Sequence, residues 1–429
     1  MYPFPYYAIH HGYPFSNFRF PRSRSVFSPH WFRNVNPPAQ AKKCDATVRP
    51  SDRAIQVQWN DGHQAEFHYI WLRDNCRCVL CGDPVIGRRT SRLTALNLDD
   101  SPSSMSVNPG GSVEIQWQDK HVSTFEFDWL RQFSYGNRDR RDRVHRVPLW
   151  DKDYIRNPPA FAFDTIRADK KEFLEMLRVV RDRGLCFIQN APTEPGTLEA
   201  LASRIGPLQE SNFGRVQDLV IDNTKRSIAN SYEGLKPHTD EPYRASPPGV
   251  LMFHCLETDR TGAGASTFLD GFEAAAMLRR NDPEGFQSLC RNNQRFRRYF
   301  AGDVDLIAEF PLITLDEFGN ITGIRINDRV AAPLSIPSEN VEPYYRGLQG
   351  LLKLCEDPDR MIERVLSPGD IAVFDNHRIL HGRTRLTLTG RRWLQWIQVE
   401  RGDFYSRIRI LSDDLGEARD DSPFLRGSY

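Results

Sequence analysis

Pro237-His238-Thr239-Asp240, read with Phe374-Asp375-Asn376-His377-Arg378-Ile379-Leu380-His381-Gly382-Arg383 far downstream, decides how this chain folds. Two imidazoles and one carboxylate can hold one face of a divalent iron and leave the other face open to ligands. His238 and Asp240 stand at i and i+2, which on a strand puts both side chains on one face. His381 supplies the third ligand, and the apolar Ile371-Ala372-Val373-Phe374 reads as the strand leading to it. Arg392 follows eleven residues later, where a returning strand would carry its guanidinium past the metal as a bidentate clamp for a carboxylate. A metal with a carboxylate anchor points to a 2-oxoglutarate-dependent oxygenase. An isolated His-x-Asp triplet is common by chance, usually as a surface hydrogen-bonded pair. The distal His-Gly-Arg and the arginine after it make the joint pattern far rarer.

Working outward, the order of elements is mainly β. Strands are expected at Cys186-Phe187-Ile188 and over 227–230, 250–256, 265–269, 371–374 and 393–400. Helices are expected over 170–183, stopped by Gly184, and over 198–205, 272–280 and 342–354. This order fits a double-stranded β-helix (jelly-roll) domain with helices packed outside, spanning 161–415. It does not fit a parallel βαβ alternation. A short tail, 416–429, follows. His254, among Met252, Phe253 and Leu256, reads as a satisfied core histidine. His377 would suit a helical ligand pair with His381, but its segment reads as strand and turn.

Upstream, residues 46–133 repeat themselves at an offset of 58. Trp59-Asn60-Asp61-Gly62-His63, Phe67 and Trp71-Leu72-Arg73 recur as Trp117-Gln118-Asp119-Lys120-His121, Phe125 and Trp129-Leu130-Arg131. The alternating residues before each tryptophan make each unit a β-hairpin, with Asp61-Gly62 a turn, and the Trp-Leu-Arg segment opens a short helix. Cys76, Cys78 and Cys81 follow the first unit directly. Three thiols so spaced call for a fourth ligand to complete a tetrahedral, structural zinc, and His121 or its repeat partner His63 could supply it. Residues 134–160, with the run Arg138-Asp139-Arg140-Arg141-Asp142-Arg143, read as a solvated linker.

Composition excludes several classes. The 429 residues suffice for two or three domains, and a net charge of +1 gives no reason to expect nucleic acid. No apolar run approaches the roughly 18 residues of a membrane span. Of eight cysteines three are clustered and five scattered, a pattern of metal binding in a reducing compartment and not of a disulfide framework. Residues 1–45 read as an extension: up to Cys44 it has no Asp or Glu and carries Arg19, Arg22, Arg24, Arg33, Lys42 and Lys43, which leans towards mitochondrial import over a cytoplasmic address.

Pro237-His238-Thr239-Asp240, Pro247-Pro248-Gly249-Val250, His254-Cys255-Leu256, Asp270-Gly271-Phe272, Phe374-Asp375-Asn376, His381-Gly382-Arg383 and Trp71-Leu72-Arg73-Asp74-Asn75-Cys76 together resemble the γ-butyrobetaine and trimethyllysine dioxygenases, within the TauD/TfdA-like oxygenases. The likeness covers roughly residues 50–412. It implies Fe(II) on His238, Asp240 and His381, the distal carboxylate of 2-oxoglutarate on Arg392, and a structural zinc on Cys76, Cys78, Cys81 and His121. It also implies a homodimer that uses O2 to hydroxylate an unactivated C–H bond of a small molecule, releasing succinate and CO2. These relatives hold a trimethylammonium in an aromatic cage, because that cation offers no hydrogen-bond donor. Here Phe213 keeps one cage position. Asn230 and Gln398 occupy two others, a fourth is lost where Gly214-Arg215-Val216-Gln217 is short, and Trp396 is expected on the far face of its strand. The cosubstrate chemistry is therefore expected without a betaine substrate. A Zn or Mn hydrolase would not need Arg392, and a silent binding protein would tolerate loss of a ligand, yet all three are present.

Overall fold

A computed structural model describes residues 45–83, 88–89, 92–220, 233–258, 263–386 and 392–417. The expected import segment, the tail beyond 417 and the strand expected at 227–230, with Asn230, fall outside the described residues. The chain divides between Arg140 and Arg141 into two compact units.

In the first unit each repeat is a three-stranded antiparallel meander, one strand more than the expected hairpin. The first runs through Ala46–Pro50, Ala54–Trp59 and Gln64–His68, and the second through Pro102–Asn108, Ser112–Trp117 and Val122–Glu126. Alternation places Ile55, Val57, Trp59 and Phe67 inward, and Val113, Ile115, Trp117 and Phe125 likewise, so the two repeats share one core. A short helix follows each meander, Tyr69–Asp74 and Phe127–Gln132, and buries Leu72 or Leu130. Trp71 and Trp129, equivalent in the repeat, lie with ring centroids 5.5 Å apart.

The second unit is a jelly roll of two facing sheets. Six strands form the larger, in the order 217–220, 393–399, 250–257, 371–375, 185–189 and 160–162. Four form the smaller, in the order 235–238, 379–383, 266–270 and 361–364. One face of the larger sheet (Val250, Met252, Ile371, Val373, Ile397, Val399) packs under the helices Lys170–Arg183 and Arg401–Leu415. Its other face (Leu251, Phe253, Phe374, Leu394, Trp396) meets Phe268 and Ile379 of the smaller sheet. The smaller sheet's outer face, through Leu269 and Leu380, packs on Phe272, Leu278 and Tyr344 of the helices Gly271–Asn281 and Ser338–Cys355. Gly184 ends the helix before it in the left-handed region at φ 83°, as its sequence position requires.

Residues 148–156, inside the segment read as linker, are built into this unit. Trp150 and Tyr154 are buried, the Trp150 N–H donates to Asp270, and the Arg378 guanidinium donates to the Pro148 carbonyl and to both Asp270 oxygens. A further hairpin, Asn293–Phe300 with Val304–Pro311, was not anticipated.

Candidate metal and substrate site

His238 ends the strand Leu235–His238 and pairs across the sheet with His381 of the strand Ile379–Arg383, bringing their ring centroids to 4.4 Å. Gly382 lets the strands close, since a Cβ there would sit 2.4 Å from the Leu235 carbonyl oxygen. Asp240 is not on that strand, contrary to the i, i+2 argument. It lies in the turn after it, followed by Glu241 at φ 50°. Asn376 fixes the turn: its Oδ1 accepts from the Asp240 N–H at 2.8 Å, and its Nδ2 donates to the Asp240 and Pro248 carbonyls. His377 is half-buried and does not group with these ligand atoms.

The donor set fits a divalent cation. His238 Nδ1 lies 2.8 Å from the Lys236 carbonyl, which only accepts, so Nδ1 carries the proton and Nε2 presents a lone pair. Burial, with help from His381, pushes His238 down to about 4, so the ring is neutral at ordinary pH. Its Nε2 stands 3.3 Å from Asp240 Oδ1, and His381 Nε2 stands 3.4 Å from Oδ2. Burial alone would raise Asp240, but the histidines outweigh it and hold the carboxyl well below its usual range. A neutral imidazole lone pair facing a carboxylate oxygen is electrostatically satisfied by a cation between them.

The triad opens into a cavity of about 720 Å³. Arg392 lines it, buried, with Nη2 donating to the Gly264 carbonyl at 3.2 Å. Burial lowers its pKa, a penalty on the charged form that a bound carboxylate offsets. Phe253 and Phe374 pack on the His381 ring at 5.3 and 5.0 Å between centroids and keep water from its flank. Of the cage positions, half-exposed Phe213 lines the cavity. Gln398 lines a smaller one of about 350 Å³ instead, whereas Trp396, expected on the far face, lines the main cavity with Tyr243. The sequence reading missed Arg298, Asn327 and Arg329, which also line it. Charge was the only signal of the two arginines, and Asn327 gave none, because the hairpin and the turn that carry them meet the site through long-range pairing. His254 is buried as expected but not satisfied, since neither ring nitrogen has a hydrogen-bond partner among the described residues.

In the first unit His121 Nε2 lies 3.2, 3.5 and 3.5 Å from the sulfurs of Cys76, Cys78 and Cys81. His63, its repeat partner, faces Asp139 at 3.2 Å instead. Three sulfurs and one imidazole nitrogen, mutually within 4.8 Å, are consistent with a structural zinc. Burial raises Cys76 and pushes Cys81 up to about 12 when no metal is bound. Backbone N–H groups of Cys81 and Leu80 outweigh burial at Cys78 and lower it. No helix among the described residues is long and apolar enough to cross a membrane.

The sequence signature of the taurine catabolism dioxygenase TauD, TfdA family matches residues 146–398, and that of the gamma-butyrobetaine hydroxylase-like N-terminal domain matches residues 46–131. The chain is 33% identical to gamma-butyrobetaine dioxygenase of Pseudomonas sp. (strain AK-1), over 83% of this chain and 93% of the relative. It is 29% identical to trimethyllysine dioxygenase of Meyerozyma guilliermondii, over 84% and 94%. It is 26% identical to trimethyllysine dioxygenase, mitochondrial, of Rattus norvegicus, over 94% of each chain. With the jelly roll, the triad cavity and a signature covering more than half its length, the chain belongs to the TauD/TfdA family of Fe(II)- and 2-oxoglutarate-dependent dioxygenases.

Proposed function

We propose that His238, Asp240 and His381 hold the Fe(II), that Arg392 binds the distal carboxylate of 2-oxoglutarate, and that the substrate is a small molecule other than γ-butyrobetaine or trimethyllysine. The convergence of three ligand atoms and one buried guanidinium on a single cavity carries the assignment. When bound, iron and 2-oxoglutarate supply the oxidising power for C–H hydroxylation by O2, with succinate and CO2 as coproducts. The chain's own residues supply the rest. The Lys236 carbonyl fixes the His238 tautomer, Asn376 holds the Asp240 backbone, Arg392 orients the cosubstrate, and Phe253 and Phe374 limit water.

The substrate reading rests on the altered cage positions at Gln398 and the shortened 214–217 segment. Each cation–π face is worth about 0.5–2 kcal/mol, so loss of two or three costs roughly 1–6 kcal/mol in trimethylammonium binding. A second reading has its own support: Phe213, Tyr243 and Trp396 line the cavity and could form a cage from different positions. Steady-state succinate release decides. We expect no saturable turnover of γ-butyrobetaine or trimethyllysine at micromolar concentration, and efficient turnover of either establishes the rebuilt cage.

Cys76, Cys78, Cys81 and His121 hold the structural zinc in this reading, and the catalytic domain comprises residues 161–415, with 46–133 as the zinc domain. A homodimer and import into mitochondria complete the proposal. The latter is supported by the acid-free N-terminal sequence and by the name of the rat relative. Sedimentation and fractionation of the expressed full chain test these two points.

A further inference from the structure

We infer that the first unit holds a second divalent-cation site, formed by His63 and Asp139 at the place where the internal repeat puts the counterpart of the thiol cluster. It takes zinc or a similar borderline cation, and binds it more weakly than the thiol cluster does.

The offset of 58 that relates the two repeats extends past their Trp-Leu-Arg segments. It carries Cys76, Cys78 and Cys81 onto Ser134, Gly136 and Asp139, and His63 onto His121. The hydrogen bonds follow the same correspondence. The His121 N–H donates to Asp119 Oδ1 at 2.9 Å, and the His63 N–H to Asp61 Oδ1 at 3.0 Å. Arg73 Nη2 donates to Asp119 Oδ2 at 2.8 Å, and Arg131 Nη2 to Asp61 Oδ2 at 2.9 Å. The turn that presents the thiols recurs as well. There the Gly82 N–H donates to the Cys78 carbonyl at 3.1 Å, and in the second repeat the Arg140 N–H donates to the Gly136 carbonyl at 2.9 Å. Each histidine thus reaches the segment that follows the other repeat's short helix.

His63 presents the same atom as His121. Its Nε2 stands 3.2 Å from Asp139 Oδ1, where His121 Nε2 stands 3.2, 3.5 and 3.5 Å from three sulfurs. That nitrogen is buried and has no hydrogen-bond partner among the described residues, Asp139 included. Such a separation without a hydrogen bond is close to that between two ligands held about 2.0–2.2 Å from one tetrahedral cation. The two side chains are 14% and 13% exposed, so a cation can enter from solvent and keep waters as its remaining ligands. Imidazole nitrogen and carboxylate oxygen are both ligands that zinc accepts. Two features make the site the weaker of the pair. Ser134 and Gly136 stand in place of two thiols, and Arg138 and Arg140, which flank Asp139 in the chain, repel a cation.

The test titrates Zn(II) into the full chain by calorimetry after loosely held metal has been removed. The thiol cluster and the proposed iron triad take up zinc in every variant and cancel in the comparison. We expect the unaltered chain to bind one equivalent more than His63→Ala or Asp139→Ala, in the last and weakest phase. Asp139→Cys puts a thiol where Cys81 stands in the other repeat. It should tighten that last phase by about tenfold or more, because thiolate is a ligand that selects zinc. With Co(II) as the probe, the same variant should add thiolate charge-transfer absorption beyond that of the unaltered chain. A gain of binding is the second readout because damage to the fold cannot produce it. Equal zinc uptake by the unaltered chain and both alanine variants overturns the inference, as does an Asp139→Cys variant whose zinc affinity is unchanged. Absence of zinc from the thiol cluster rejects the structural-zinc reading alone, and the equivalent bound at His63 and Asp139 still decides this inference.

Discussion

His254 is the least comfortable residue in the second unit. It is buried in the larger sheet with no hydrogen-bond partner for either ring nitrogen among the described residues, and burial pushes it down to about 4. His377 is pushed to about 3, again chiefly by burial. Both rings stay neutral in the native state to those values, while the unfolded chain takes up protons below about 6.5. The unfolded state therefore binds more protons between pH 6.5 and 4, and stability is full above that window and falls as pH drops through it. Each shift corresponds to a few kcal/mol at about 1.4 kcal/mol per unit. Replacing His254 by Leu removes two buried, unpartnered nitrogens at that position, so it should leave stability at pH 7 unchanged or raised and should flatten the acid loss of melting temperature. Thermal melts of both proteins from pH 7 to 4.5 check this, and a variant that melts much lower at pH 7 would show that His254 has a favourable role. Asn376 works the other way, as a residue whose two hydrogen-bonding ends hold one ligand's backbone. Asn376→Ala should weaken Fe(II) affinity by about tenfold to a hundredfold, as for other supports of ligand orientation, and anaerobic Fe(II) titration measures it.

At the scale of elements, the two repeats show one design put to two uses. His121 faces three thiols where its counterpart His63 faces Asp139. Cys78→Ser should release zinc and lower the melting temperature of the first unit, and metal analysis with calorimetry on the full chain reads both. A purified native protein without zinc would end that assignment. What was legible in the sequence follows the same line between local and distant causes. The helix Lys170–Arg183 and its Gly184 stop were readable because capping and periodicity act within a few residues. The inner strands Val250–Glu257 and Ile371–Asp375 were readable as apolar runs. The first strand of each meander was not, because Ala46–Pro50 and Pro102–Asn108 are largely exposed and carry little apolar pattern. The hairpin bearing Arg298 was hidden for a similar reason. Its outer face is made of charged pairs such as Arg297 with Asp305, which read as solvated sequence.

For the whole molecule, the proposed ligand residues could be singled out in the sequence by motif and resemblance, but their placement could not. His238 and His381 meet only through a strand pairing across more than a hundred residues, and Asp240 reaches them from a turn that Asn376 holds. The same topology favours His381 over the nearby His377 as the proposed third ligand, since His381 and not His377 groups with His238 and Asp240. His381 faces the space between the sheets on the strand Ile379–Arg383, while His377 lies in the turn before it, its N–H bonded to Asp375. The most direct test of the account is anaerobic titration of Fe(II) and 2-oxoglutarate into the His377→Ala and His381→Ala variants, following the visible charge-transfer absorption that 2-oxoglutarate gives when it chelates protein-bound Fe(II). The account predicts that His377→Ala keeps the absorption and His381→Ala loses it. Retention by His381→Ala, with loss in His377→Ala, would contradict it.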